Sequence, residues 1–326
     1  MPRPSAAQSA TYETMYSFHG SPDGGDPKAA LVMGKSGSLY GTTEGGGASG
    51  LGTVFEMTKP TGEPWKENVL FSFTGSGGQY PWSPLVFGTT GALYGATPAG
   101  GCGGCTGVVF ELAPPSAAGE TWTETVLYDF SGSLENAAPN GPLLFGPGGT
   151  IYVTTGGAGA PSFGQVNALL PPATPEGAWT ESVLYSFGGP PAGEQPLAGV
   201  VSEGGSLFGT TYAGGDEFCG AGGCGVVYER TPPATLGGAW TETTLHTFGE
   251  TATDGQQPAA PVAVGPGGVL YGTTQYGGNT TCATSGFQGV ECGTVFQVVP
   301  PTAPGGACTE SVIYSFTGTD GDGAPR

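Results

Sequence analysis

The chain has 326 residues, 65 of them glycine and 30 proline, and sets 7 basic against 26 acidic side chains for a formal charge of -19. Nucleic acid and anionic lipid both require a basic footprint, so such a surface excludes them as partners. No run approaches the ~18 apolar residues of a helical membrane span. So much glycine and proline would suit disorder if the aromatic residues were scattered, but they recur at fixed places and can build a core that neighbouring units share.

The chain opens MPRPSAAQSA, which has no apolar stretch of the secretory type. Residues 1–11 are expected to form a disordered N-terminal segment, and 12–326 a single repeat domain. The first landmark is LYGTT, with Tyr40. It returns as LYGAT (Tyr94), IYVTT (Tyr152), LFGTT (Phe208) and LYGTT (Tyr271), at spacings of 54, 58, 56 and 63 residues. A second landmark is a tryptophan, at Trp65, Trp122, Trp179 and Trp240, before KENVLFSF, TETVLYDF, TESVLYSF and TETTLHTF; Cys308 takes that place before TESVIYSF. A third is GTVFEM, GVVFEL, GQVNAL, GVVYER and GTVFQV.

One unit reads as four strands. In the second unit these are a (PLVFG, 84–88), b (ALYGAT, 92–97), c (GVVFEL, 107–112) and d (TETVLYDF, 123–130). Each is short, rich in Val, Tyr, Phe and Thr, and bounded by Gly or Pro. Nothing shows the period of an amphipathic helix. The links GTTG (88–91) and GPGG (146–149) suit hairpin turns. The units run approximately 19–73, 74–130, 131–187, 188–248 and 249–316, with a further one beginning at 317–326.

Four antiparallel strands in roughly 55 to 65 residues is the size of a propeller blade. A solenoid coil is shorter, at roughly 20 to 45 residues, and an immunoglobulin-like domain longer, at about 100. The expected fold is therefore all-β, a β-propeller of four-stranded antiparallel blades, with a stacked β array as the alternative. Strand d occurs six times, ending at Phe18, Phe73, Phe130, Phe187, Phe248 and Phe316, whereas a, b and c occur five times. The final TGTDGDGAPR restarts the loop that reads GSPDGGDPK near the beginning. This predicts a fragment of a longer protein, or an incomplete ring. In a closed five-blade ring, Tyr12 to Phe18 would replace the last strand d and 309–326 would be surplus.

LYGTT, a GG pair, GTVF, then Trp-Thr-Glu and LYSF together resemble the GloVer tandem repeat of bacterial choice-of-anchor proteins, over residues 12–326. The resemblance to kelch-type blades is looser. The third unit departs most, with Asn167 where Phe is expected and Ala168 where Glu is. The GloVer resemblance implies an extracellular or cell-surface protein and no particular reaction.

Strand direction alternates, so the d–a and b–c loops share one face of the disc. The b–c loops vary, spanning 44–52, 98–106, 156–163, 212–224 and 275–292. Variable loops on a repeated scaffold are where binding tends to sit. Asp23, Asp26, Asp216, Glu217 and Asp254 are the binding candidates of this face. Six of the seven cysteines fall in pairs within single loops: Cys102 with Cys105, Cys219 with Cys224, Cys282 with Cys292. Three local disulfides are expected, pointing to an oxidising compartment; metal ligation is the alternative. Cys308 is expected to be a buried or free thiol.

Catalytic motifs are sparse. His19 and His246 are expected to lack carboxylate partners, and the GxSxG elbow of serine hydrolases is absent. Glutamates before strand d (Glu13, Glu67, Glu124, Glu181, Glu242, Glu310) and in strand c (Glu56, Glu111, Glu229) repeat, which suits a scaffold role. Asp129, Asp216 and Glu217 are not repeated, but nothing assigns them to catalysis. No cofactor or metal is expected. Calcium at Asp23–Asp26 or at Asp320 and Asp322 is the alternative to solvated turns, since neither run has the length of an EF-hand loop.

These features favour a non-catalytic binding or adhesion scaffold with a glycan or protein partner on the b–c face. One alternative is a carbohydrate-active enzyme at the propeller channel, whose mark would be unrepeated carboxylates and aromatics at the channel mouth. Another is a structural surface-layer spacer.

Overall fold

The computed structural model describes residues 13–103, 106–117, 119–130, 138–157, 163–174, 177–215, 222–233, 238–251, 253–278, 293–301 and 306–317. Five four-stranded antiparallel sheets follow one another, each in the order a-b-c-d. Blade 1 comprises Val32–Met33, Leu39–Thr43, Thr53–Thr58 and Lys66–Ser72. Blade 2 comprises Val86–Phe87, Leu93–Thr97, Val108–Ala113 and Thr123–Asp129. Blade 3 comprises Pro139–Phe145, Ile151–Thr155, Gln165–Leu170 and Thr180–Ser186. Blade 4 comprises Val201–Glu203, Ser206–Thr211, Val226–Thr231 and Thr241–Thr247. Blade 5 comprises Ala263–Val264, Leu270–Thr274, Thr294–Val299 and Thr309–Ser315.

Strand a is shorter than the sequence suggests. In blade 2 only Val86 and Phe87 pair with strand b, because Pro84 has no N–H to offer the ladder. The c–d pair carries a register shift at the same place in every blade. A bulge repeated in this way adds the same local twist to each sheet.

The recurrent LYGTT is explained residue by residue. The leucine enters the core, as Leu93 and Leu270 do. The Tyr40 hydroxyl donates to Glu56 across the b–c pair at 2.7 Å, and burial beside that carboxylate pushes the phenol up to about 12. The glycine lies beneath an aromatic ring of strand c. A Cβ on Gly41, Gly95, Gly209 or Gly272 would sit 2.4 to 2.7 Å from Phe55, Phe110, Tyr228 or Phe296. The first threonine clasps the next blade: Thr42 donates to the Ser83 carbonyl, Thr154 to Ala198 and Thr210 to Ala260. The second closes the following turn, as Thr211 does on the Ala213 carbonyl.

Four buried clusters lie one at each junction between successive blades. Phe73 with Phe110 centres the first, Phe130 with Val153 the second, Phe187 with Tyr228 the third and Phe248 with Phe296 the fourth. A closed ring of five would have a fifth junction. Instead Leu31 is 46 % exposed, whereas its equivalents Leu85, Leu143, Val200 and Val262 are at most 4 % exposed. At the other end Ile313 is 52 % exposed. Among the described residues no fifth junction is formed.

The sixth strand-d sequence does not replace the last strand of blade 5, which forms its own from Thr309 to Ser315. Residues 13–19 take no regular secondary structure. They nevertheless dock on blade 1 as a strand d would, with Phe18 edge-on to Phe55 at 5.0 Å.

Candidate functional site at the channel mouth

The d–a and b–c loops of a blade meet on one face through short antiparallel contacts, Gly24–Gly46, Gly193–Gly214 and Gly255–Gly277. Inside these contacts runs a repeated proline: Pro27, Pro81, Pro139, Pro196 and Pro258. The residue before it is Asp26, Tyr80, Gln195 or Gln257 in four blades, each with φ between 54° and 59°. A non-glycine residue in that region costs about 1–3 kcal/mol and persists only when its surroundings hold it.

Two backbone hydrogen bonds supply the restraint. The N–H reaches back to the previous blade, from Tyr80 to the Leu51 carbonyl, Gln195 to Phe163 and Gln257 to Cys224. The carbonyl accepts from the residue just after strand b of its own blade, Asp26 from Glu44, Gln195 from Tyr212 and Gln257 from Gln275. The strained residue thus marks the place where the d–a loop of blades 1, 2, 4 and 5 is tied to its surroundings. Leading side chains of the same region are Lys28, Trp82, Asn140 and Leu197, each one place beyond the proline.

These positions are not repeated in kind. Blade 1 brings two carboxylates, Asp26 and Glu44, with Lys28 paired to Glu44. Blade 2 brings Trp82, 40 % exposed. Blades 4 and 5 bring Tyr212, whose hydroxyl is 3.4 Å from the Gln275 amide oxygen. Trp82, Asn140, Gln195 and Leu197, with Gly156 and Gly157, line one cavity of about 310 Å³ that spans blades 2, 3 and 4.

The expected site residues divide. Asp26 is one of the residues with a positive φ, and its carbonyl accepts from Glu44. Asp23 and Asp254 occupy one equivalent place but organise their loops. Asp23 accepts from the backbone of His19 and Gly24 and from the Tyr16 hydroxyl. Burial opposes its ionisation, but these bonds outweigh it and hold the carboxyl below the usual range. Asp254, 5 % exposed, accepts from the backbone of Gly249, Glu250 and Gly255. Asp216 and Glu217 lie outside the described residues, as do Asp320 and Asp322.

Cys102 and Cys224 each belong to a disulfide. Cys105, Cys219, Cys282 and Cys292 lie outside the described residues, so the pairing stays a proposal. Cys308 is a free, half-buried thiol. The histidines are corrected: His19 Nδ1 and His246 Nε2 each lie 3.4 Å from an aspartate, Asp23 and Asp254. The signal was present in the sequence, since both aspartates stand at one position of the d–a loop. Only the fold shows that the strand-d residue turns toward it.

No curated protein sequence matches the chain. Solved structures similar to it include a candidate 6-phosphogluconolactonase from Bacteroides uniformis, at 14 % identity and TM-score 0.54, covering 87 % of this chain and 70 % of that one. A candidate oxidoreductase (glucose dehydrogenase) from Thermus thermophilus follows at 15 % identity and TM-score 0.50, covering 89 % and 84 %. An inulosucrase from Halalkalicoccus jeotgali bound to kestose is weaker, at 12 % identity and TM-score 0.45, covering 89 % and 86 %.

At these identities the likeness establishes the fold. Solved proteins of this fold include ones named as enzymes, and this corrects the expectation of a non-catalytic scaffold: the fold gives no ground for it. That expectation rested on variable, cysteine-bearing loops over a regular scaffold, which an enzyme of this fold can carry equally well. The Gloeobacter/Verrucomicrobia repeat model matches residues 5–177 and 106–326. With its five equivalent blades, the chain belongs to the Gloeobacter/Verrucomicrobia (GloVer) repeat family.

Proposed function

We propose that this chain is a carbohydrate-active enzyme that takes its substrate at the inner mouth of the propeller. The observation that carries the reading is the cavity in which exposed Trp82 faces the amides of Asn140 and Gln195. An indole face suits the C–H surface of a sugar ring, and amides can donate to and accept from its hydroxyls. A few polar groups on an otherwise apolar cleft is the usual make-up of a small-molecule site.

Asp26 and Glu44 are the carboxylates for acid–base work, since glycosidic bond cleavage commonly uses such a pair. The glutamate–aspartate backbone bond keeps them on adjacent positions of one blade. The sugar enzymes named among the similar propellers agree with this substrate class. Family membership and the half-cystines support an extracellular or cell-surface location, with glycan as the partner.

The test is turnover of a panel of oligosaccharides of defined linkage, read by chromatography of the products. Asp26→Asn and Glu44→Gln should each lower kcat by about 10²-fold or more, and Trp82→Ala should raise KM. No turnover of any panel member, or turnover untouched by all three variants, would refute the reading.

A further inference from the structure

We infer that the junction between blades 4 and 5 is a site for one divalent transition-metal ion, zinc foremost, ligated by His246, Asp254 and Glu310. This site is remote in the chain from the Trp82 cavity and does not depend on the sugar reading.

The second and third junctions set the residue two places before the strand-d phenylalanine against the strand-d glutamate of the next blade. The Tyr128 hydroxyl donates to Glu181 at 3.0 Å, and Tyr185 meets Glu242 in the same way. The last junction departs from that plan in two residues. His246 stands where Tyr128 and Tyr185 stand. Asp254 stands where blade 1 has Asp23 and blades 2 and 4 have Gly77 and Ala192. Cys308 stands where the other blades have tryptophan. The smaller side chain leaves room: His246, Asp254, Cys308 and Glu310 line a cavity of about 450 Å³.

One ligand atom each from His246, Asp254 and Glu310 lies within 4.8 Å of the others. His246 Nε2 and Glu310 Oε1 are sealed from solvent and have no hydrogen-bond partner. Nε2 is 3.4 Å from Asp254 Oδ2, a distance of ionic attraction without hydrogen-bond geometry. Glu67, Glu124 and Glu242 carry an equally unpartnered Oε1 at the same place of their blades, so the orphaned imidazole nitrogen is what sets this junction apart; buried polar atoms of this kind are normally satisfied. A cation held by all three side chains answers it.

One imidazole with two carboxylates suits zinc and neighbouring first-row ions. Ligands at ~2.0–2.2 Å from zinc require only a small rotamer closure of this set. The backbone amides of Gly249, Glu250 and Gly255 already fix the Asp254 carboxylate, as outer-shell donors commonly fix a ligand. Cys308 borders the same space and would shape it.

The chain is stripped with chelator and titrated with zinc by calorimetry, with metal content measured after dialysis. One zinc per chain and a raised Tm are expected. His246→Tyr restores the residue that the array uses elsewhere, and Glu310→Gln conserves shape, so both variants should keep the fold by circular dichroism. Each should weaken zinc binding by about tenfold or more. Wild-type chain that takes up no zinc, or variants that bind it with unchanged affinity, would overturn the site.

Discussion

Val153 in strand b of blade 3 lies directly opposite Asn167 in strand c. The same register pairs Gly41 with Phe55, Gly95 with Phe110, Gly209 with Tyr228 and Gly272 with Phe296. Four blades place a ring over a glycine, and the third places a small amide over a branched side chain. Val153 in place of glycine and Asn167 in place of an aromatic ring are thus one exchange of volume, made in a single buried pair.

That exchange can be tested by breaking it. Gly95→Val forces a side chain into the Phe110 ring and should destabilise by about 1–3 kcal/mol or more, the range for overpacking. Asn167→Phe alone should act in the same sense. The double variant Val153→Gly with Asn167→Phe rebuilds the pairing of the other blades and should recover most of the loss. Urea midpoints of the variants measure this, and a double variant as unstable as Asn167→Phe would refute the pairing.

With no fifth junction formed among the described residues, equivalent positions should differ in cost. Leu85→Ala removes a fully packed side chain from the first junction and should cost about 2–5 kcal/mol. Leu31→Ala, at the exposed equivalent, should cost less than about 1 kcal/mol, as for a surface change. Equal losses in thermal unfolding would mean that Leu31 is covered in solution.

Repeated glutamates predict a pH dependence. Burial pushes Glu124 up to about 7, and burial with the nearby Asp23 charge does the same to Glu67. The unfolded chain loses these protons near the ordinary glutamate value, ~4.3, while the native state holds them to about 7. Stability from these groups is therefore full below the lower value and is lost as pH rises through the upper one. Glu124→Gln should flatten this fall and raise stability at pH 8 relative to wild type. Asp23, held low, acts in the opposite sense at more acidic pH. Parallel stability profiles for wild type and Glu124→Gln between pH 4.5 and 8 would count against the assignment.

Arg230 offers a fourth test. It is fully buried, 3.0 Å from the Glu242 carboxylate and stacked on the Tyr185 ring. Other blades place Met57, Leu112, Leu169 or Val298 there. Arg230→Met should destabilise by about 3–5 kcal/mol because it strands a buried carboxylate. Adding Glu242→Gln removes that charge and should restore most of the stability. A double variant no more stable than the single one would refute the coupling.

Length of unit, strand count and blade architecture follow from the sequence alone, because a repeated alternation of Val, Tyr and Thr between glycine turns admits few other folds. Strain at Asp26, Tyr80, Gln195 and Gln257 could not be read, since nothing in their residue types requires a positive φ; backbone hydrogen bonds to the previous blade, to their own, or to both at Gln195 and Gln257, hold it. The same holds for His246, Asp254 and Glu310. Residues 246 and 310 belong to strands of successive blades, and no spacing rule joins them. Local pattern determines which residues form strands, through contacts a few residues apart. Only packing of blade against blade decides which polar groups meet, because the bonds between blades join residues 41 to 63 places apart in the chain.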